Sequence, residues 1–374
     1  MHCDTLIIGG GVMGCGVALR LAQAGQKVTV LERSIPGAEA SSAAAGILAP
    51  QAECDAPGPM LDLGLRSRSL YPAFAEELRE ATDLDIGYRR CGVLKVASTE
   101  EGAQRLAARA TWQRAAGLSA TPVSTTEVRE LEPALTGPML SGLHLPEEGQ
   151  VEAPMLATAL SLAAARAGVV FETEVVRSVW VEGGRARGVE LESGRRESQA
   201  VVVAAGAWSA LVPGSGPGAA SVRPARGQIA QLEMRPLPLS RVIFTERGYL
   251  VPRRDGRLLV GSTLEFVGFE KRVTAGGVHS LLDLAIEAVP RLADAALTST
   301  WCGFRPHTPD GLPLLGPCSV EGLFFASGHH RNGILLAPVT AEVVSAAVLK
   351  RSGPVPLGPF RPERWPSQGP VGLA

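Results

Sequence analysis

The sequence predicts a mixed α/β fold that joins a parallel sheet to a large antiparallel sheet. Three observations predict it. The chain opens with a strand, a glycine turn, a helix and a second strand in the first 32 residues. A buried strand, "VVVAAG", returns near residue 201. The stretch "RGYLVPRRDGRLLVGST" places an Asp255-Gly256 turn between two apolar runs, which is a hairpin signal.

The opening unit is the most informative. In "DTLIIGGGVMGCGVALRLAQAGQKVTVLER" the first strand covers Thr5 to Ile8. Gly9, Gly11 and Gly14 then fit G-x-G-x-x-G, with Val12 and Met13 between them. Val17, Leu19, Leu21 and Ala22 give the helix its packing face, and Gly25 ends it. Val28 to Leu31 is the second strand, closed by the acid Glu32 and followed by Arg33. Gly9 serves the tight turn, Gly11 lets a pyrophosphate approach the backbone, and Gly14 lets helix and strand pack. The helix N-terminus then faces the phosphate. Glu32 lies near the spacing of a ribose-binding acid, and an acid there argues against NADP. This is a Rossmann-like unit.

The next segment, "SSAAAGILAP", is small, hydroxylated and glycine-bearing, so it can lie flat against a phosphate and a large planar ring. Its candidate contacts are Ser41, Ser42, Ala45, Gly46 and Ile47. Further on, "RSRSLYPAFAEELREATDLDIGY" reads as helix and "CGVLKVAS" as strand. "TEEGAQRLAARATWQRAAG" reads as an amphipathic helix capped by Thr99. "VVVAAG" ends in Gly206, a fit for close approach to a dinucleotide. Near the C-terminus "GLFFAS" delivers the chain to "GHHRNGILLAP", where a helix is expected to begin near Asn332 or Gly333 with its positive end facing a cofactor ring.

Composition narrows the classes. A chain of 374 residues with 45% hydrophobic residues builds a full core. A net charge of -1 makes no case for nucleic acid or an anionic membrane. Six cysteines occur and none forms a Cys-x-x-Cys pair, so a cytoplasmic, reducing setting is expected and neither a zinc ribbon nor a dithiol centre. His307, His329 and His330 lack the carboxylate or cysteine spacing of a metal site, and none is expected. The glycine-rich N-terminus has Asp4 where a leader peptide carries a cation, and no apolar run reaches bilayer length.

The motifs "GGGVMG", "SSAAAGILAPQAEC", "VVVAAGAWS", "WCGFRPHTPDGLPLLG" and "GHHRNGILLAP" span most of the chain. On them the sequence resembles the FAD-dependent amino-acid oxidase family that includes D-amino-acid oxidase, sarcosine oxidase and glycine oxidase, most strongly its glycine oxidase branch, which serves thiamine biosynthesis. The resemblance implies FAD, oxidation of glycine, sarcosine and small D-amino acids by hydride transfer to flavin N5, and reduction of O2 to peroxide. It implies FAD contacts at His329, His330, Arg331, Asn332, Gly333, Ile334 and Leu335, and places Val176 on a strand beside the adenine. Arg305 matches the arginine that clamps the substrate carboxylate by two parallel hydrogen bonds. Tyr249 matches a tyrosine that meets the same carboxylate, and Arg331 a substrate-pocket arginine. No catalytic base is evident, and none is required for an amine that is held neutral.

The resemblance also implies two interleaved domains. The FAD-binding domain takes residues 1–85, 146–218 and 299–352. The substrate domain takes 86–145 and 219–298. The tail 353–374 is proline-rich and expected to be extended or disordered. Sarcosine oxidases attach flavin through a cysteine where this chain reads "RPHTPDG"; Cys302 and Cys318 stand at other spacings, so non-covalent FAD is expected. The sequence leaves open an FAD dehydrogenase of D-amino acids or proline with a non-oxygen acceptor, a non-catalytic FAD-binding subunit, and the oligomeric state, a homo-oligomer included.

Overall fold

The computed structural model describes residues 3–365. The glycine-bearing opening folds as read: a strand Thr5–Ile8 (β1), a helix Val12–Gln23 (α1) and a strand Val28–Glu32 (β2). β1 is buried along its length, which suits the centre of a doubly covered sheet. That sheet has six strands in the order Leu314–Pro317, Leu323–Ser327, Ala200–Val203, β1, β2, Val170–Thr173. Its neighbours run parallel except at the Leu314–Pro317 edge. α1 packs against the Ala153–Arg166 helix and the Gly333–Val348 helix to close one face. A three-stranded antiparallel ribbon, Ser178–Glu182, Arg185–Leu191 and Gly194–Glu197, covers part of the other.

The second sheet has eight strands, ordered Ala296–His307, Arg223–Glu233, Arg257–Gly261, Tyr249–Pro252, Val242–Phe244, Val93–Ala97, Ser141–Leu145, Thr121–Val123. All its pairs are antiparallel except Val242–Phe244 with Val93–Ala97. The Asp255-Gly256 hairpin forms between Tyr249–Pro252 and Arg257–Gly261. Ala296–His307 belongs to this sheet and runs through position 299, where the sequence reading opens its third FAD segment.

Thr99 caps the Glu100–Ala115 helix, accepting from the Gly102 N–H at 3.0 Å. The earlier helix is shifted towards the N-terminus of the segment read: it spans Pro59–Thr82 and stops short of Tyr88. "VVVAAG" is strand only over Ala200–Val203 and turns at Gly206, whose φ is +54°. Val176 lies on no strand: it follows Val170–Thr173 in a connection and packs, partly buried, on the apolar cluster beneath the ribbon. The tail is anchored rather than extended through residue 365. Phe360 is buried, and Arg364 grips Asp310 with Nε and Nη2 at 2.6 and 2.9 Å. Residues 366–374 of the predicted tail lie outside the described residues.

Candidate functional site

A cavity of about 430 Å3 lies where the two sheets meet. One wall comes from the six-stranded sheet. The α1 helix points its N-terminus at the cavity, and its first residue outside, Gly11, supplies no side-chain cap. The Val12 N–H donates to Ser41 Oγ at 3.0 Å, which joins the glycine turn to the following segment. A Cβ on Gly14 would sit 1.9 Å from the Gly9 carbonyl oxygen, so helix and strand are in direct contact there. Gly9 itself has φ +105°, in the glycine region. Glu32 accepts from the Gly10 N–H at 2.7 Å and from the Ser34 N–H at 3.0 Å, so the acid stands at the turn. Arg33 lies over the Trp208 ring, 3.8 Å from its centroid, rather than in the cavity.

A second helix N-terminus enters from the C-terminal end. His330–Asn332 forms a short turn and Gly333–Val348 the helix, again without a side-chain cap. Its first turn is held from outside. Pro338 has no N–H to meet the Ile334 carbonyl, and the Tyr71 hydroxyl donates to that carbonyl instead. Ser67 Oγ donates to the Leu335 carbonyl at 2.6 Å. His329 is buried, with Nε2 3.0 Å from Thr340 Oγ1, and burial pushes its imidazole down to about 3. His330 takes φ +47° and packs edge-on to His307; burial, with Arg331 nearby, pushes it down to about 3.

The segment Ala40–Ile47 forms the cavity's third side. Trp301 Nε1 donates to the Ala43 carbonyl at 3.0 Å. The buried Arg253 donates to the Ala45 carbonyl at 2.8 Å and to the Val151 carbonyl at 3.0 Å. Neither residue was singled out from sequence.

The floor belongs to the eight-stranded sheet. Gly227 and Gly303 face each other across neighbouring strands. The Arg305 guanidinium lies over Gly227, where a Cβ would come within 2.1 Å of it. Arg305 donates to the Thr263 carbonyl at 3.2 Å and to Ser262 Oγ. The Tyr249 ring lies in the same manner over Gly261, with a Cβ there 2.3 to 2.5 Å from ring atoms and hydroxyl. Arg331 reaches in from the opposite rim and pairs with Glu53, Nη1 to Oε2 3.3 Å.

The cavity thus gathers most of the residues read from sequence. Gly11, Val12, Met13, Ser41, Ala45, Gly46, Ile47, Gly206 and the run His329 to Ile334 line it together with Tyr249, Arg305 and Arg331. Gly9, Gly14, Glu32, Arg33, Ser42, Leu335 and Val176 are not in its wall. The first three shape the turn behind it, Ser42 bonds the Gly37 carbonyl, and Leu335 is core. Lys95, Arg109 and Glu53 line it and were missed. The helix spacing carried a signal for Arg109: Gly102, Leu106, Arg109 and Gln113 share the buried face.

A glycine turn at one helix N-terminus, where only Ser41 meets an amide, a second helix N-terminus without a side-chain cap and a flat small-residue segment between them fit a dinucleotide with a fused ring. The chain matches the DAO family, FAD dependent oxidoreductase, over residues 4–347. It is 40% identical over 363 residues to a glycine oxidase of Geobacillus kaustophilus, covering 96% of each chain. It is 39% identical to a bifunctional protein ThiO/ThiG of Synechocystis, covering 97% of this chain and 54% of that one. The crystal structure of the Geobacillus kaustophilus glycine oxidase superposes with a TM-score of 0.93 at 38% identity, over 98% of this chain and 100% of that one.

Proposed function

The chain belongs to the DAO family of FAD-dependent oxidoreductases, and from that premise we propose that it oxidises glycine and other small amines, sarcosine and small D-amino acids among them, with O2 as the electron acceptor. The observation that carries this reading is the paired Arg305 and Tyr249, each laid over a glycine on the cavity floor.

When bound, FAD would supply the two-electron acceptor and the route by which O2 is reduced to peroxide. The N-terminal ends of α1 and of the Gly333–Val348 helix would hold its pyrophosphate and ring, Glu32 its ribose, and Ala45 to Ile47 its flat face. None of the cysteines lines the cavity, which supports non-covalent attachment. Arg305 grips the substrate carboxylate with two N–H donors, and the Tyr249 hydroxyl donates to the same group. Arg331, paired with Glu53, bounds the other side. With the carboxylate fixed, the space left beside the Arg305 guanidinium and the Tyr249 ring sets which α-carbon face meets the ring. The amine reacts neutral, and the imine it leaves is hydrolysed by water.

The interleaved segments 1–85, 146–218 and 299–352 against 86–145 and 219–298 follow the division of strands between the two sheets except at Ala296–His307, which stays paired in the eight-stranded sheet past position 299. A cytoplasmic enzyme agrees with six free cysteines. Among the described residues no helix is long and apolar enough to cross a membrane.

Peroxide release from glycine, sarcosine, D-alanine and L-alanine tests the reading. Glycine, sarcosine and D-alanine should all turn over and L-alanine should not, because its α-hydrogen points away from the ring once carboxylate and amine are fixed. An L preference would overturn the pose. Turnover seen only with an artificial acceptor would make the enzyme a dehydrogenase.

A further inference from the structure

One short turn on the cavity wall is gripped at both ends by buried charge. Pro50–Glu53 is a single helical turn. On its amide side the buried Glu148 carboxylate accepts from the N–H groups of Gln51 and Ala52, at 3.1 and 3.4 Å. Arg68 backs that carboxylate at 2.7 Å. On its carbonyl side Lys95 Nζ donates to Ala52 at 2.7 Å. Arg109 donates to the Gln51 and Ala52 carbonyls at 2.9 and 3.1 Å, and also to Cys54. Gln51 is itself buried and tied by Nε2 to Gln113 and to the Ser119 carbonyl, at 3.0 and 3.1 Å.

Burying charge is costly, and well-packed apolar side chains usually fill such space at no loss of stability. A turn that only had to be covered would not need two buried ionic groups and a third, Lys95, partly buried beside them. What those groups add is direction: each fixes a particular amide or carbonyl. The turn ends in Glu53, whose carboxylate is largely buried, lines the cavity and pairs with Arg331. Arg331 is half exposed on a long side chain, so its head is placed by that pair.

We propose that Lys95, Arg109 and Glu148 are positioning residues: they set the Pro50–Glu53 turn so that Glu53 holds Arg331 at the substrate side of the cavity. The inference rests on Arg331 belonging to the substrate pocket.

The test uses the FAD-loaded enzyme in a double-mutant cycle of Lys95→Met and Glu53→Gln. It reads KM and kcat for glycine and the dissociation constant of acetate, followed by the flavin absorbance. Lys95→Met should raise KM and the acetate constant about tenfold, with kcat changed less than about threefold, since the carboxylate pose and not the redox step is disturbed. Lys95→Arg should restore most of the loss. In the Glu53→Gln background Lys95→Met should add nothing. An unchanged KM in Lys95→Met, or the same rise in both backgrounds, overturns the proposal. If Lys95→Met fails to retain FAD, Lys95→Gln, which keeps a donor for Ala52, enters the same cycle and the same outcomes decide. If Glu53→Gln and Arg331→Ala both leave KM and acetate binding unchanged, it is the placement of Arg331 in the substrate pocket that fails.

Discussion

Gly227→Ala isolates the substrate clamp from the rest of the molecule. Gly227 has an ordinary strand conformation, so alanine introduces no backbone strain, only one methyl group. That methyl would stand 2.1, 2.3 and 2.4 Å from Nη1, Nη2 and Cζ of Arg305, where ordinary contact begins at 3.4 Å. The guanidinium must therefore retreat by roughly 1 Å or more, and a displacement of that size at a substrate-orienting group costs about a hundredfold in rate. Its bonds to the Thr263 carbonyl and Ser262 Oγ would be lost with it. The strand lies in the sheet interior with Arg257–Gly261 on one side and Ala296–His307 on the other, so the fold and the FAD wall should persist. The assay compares kcat/KM for glycine, FAD content and melting temperature in the wild type and the variant. A loss of about a hundredfold in kcat/KM with full FAD content is expected. Wild-type kcat/KM in a folded Gly227→Ala enzyme would refute the placement of the carboxylate under Arg305.

Other outcomes follow from the same geometry. Arg305→Ala should keep FAD and lose about 2–5 kcal/mol of transition-state binding, as when one partner of a buried charge pair is removed, measured as kcat/KM for glycine. The purified protein should be yellow and release its FAD into the supernatant on acid precipitation; flavin in the pellet would mean a covalent link. His329 is held neutral by burial, pushed from 6.5 to about 3, so the unfolded chain takes up a proton first as pH falls. Stability is whole above 6.5 and drains towards pH 3, by about 2 kcal/mol at pH 5, and urea unfolding of His329→Gln should lack that slope. Tyr71→Phe strands the Ile334 carbonyl opposite Pro338 and should cost about 1–3 kcal/mol of stability in thermal or urea unfolding, with weaker FAD retention.

Legibility in the sequence followed the range of the interaction that explains each residue. Gly14 answers to the Gly9 carbonyl five residues away, and the G-x-G-x-x-G spacing alone placed turn, helix and acid, although a Cβ on Gly9 would also meet the Ala204 carbonyl and one on Gly11 the Ser41 hydroxyl. The hairpin at Asp255-Gly256 and the Thr99 cap are equally local. Gly227 and Gly261 were invisible because their reason is a side chain arriving from another strand. Arg109 and Glu148 drew no reading because a sequence shows a charge without showing its partner. The tail read as extended or disordered because proline dominates its composition, while Phe360 and one Arg364–Asp310 fork decide its place. Val176 was placed on a strand by the resemblance, and here the strand ends at Thr173.

The stretch "GHHRNGILLAP" shows how local and distant causes combine. Proline six residues into the helix (Pro338) would ordinarily leave an unpaired carbonyl in an apolar core. Here that carbonyl belongs to Ile334, on the cavity wall, and Tyr71 from the Pro59–Thr82 helix answers it. Ser67, one turn earlier on the same helix, answers Leu335. The first turn of the C-terminal helix is thus set by two hydroxyls on a separate element, while its N–H groups stay uncapped and directed at the cavity. A side-chain cap would have satisfied those donors within the protein and removed them from any ligand. The sequence spends its polar side chains on the carbonyls, and Asn332, an N-cap residue whose side chain could have accepted such a bond, makes none, so in the proposed FAD complex the amides are left to the cofactor.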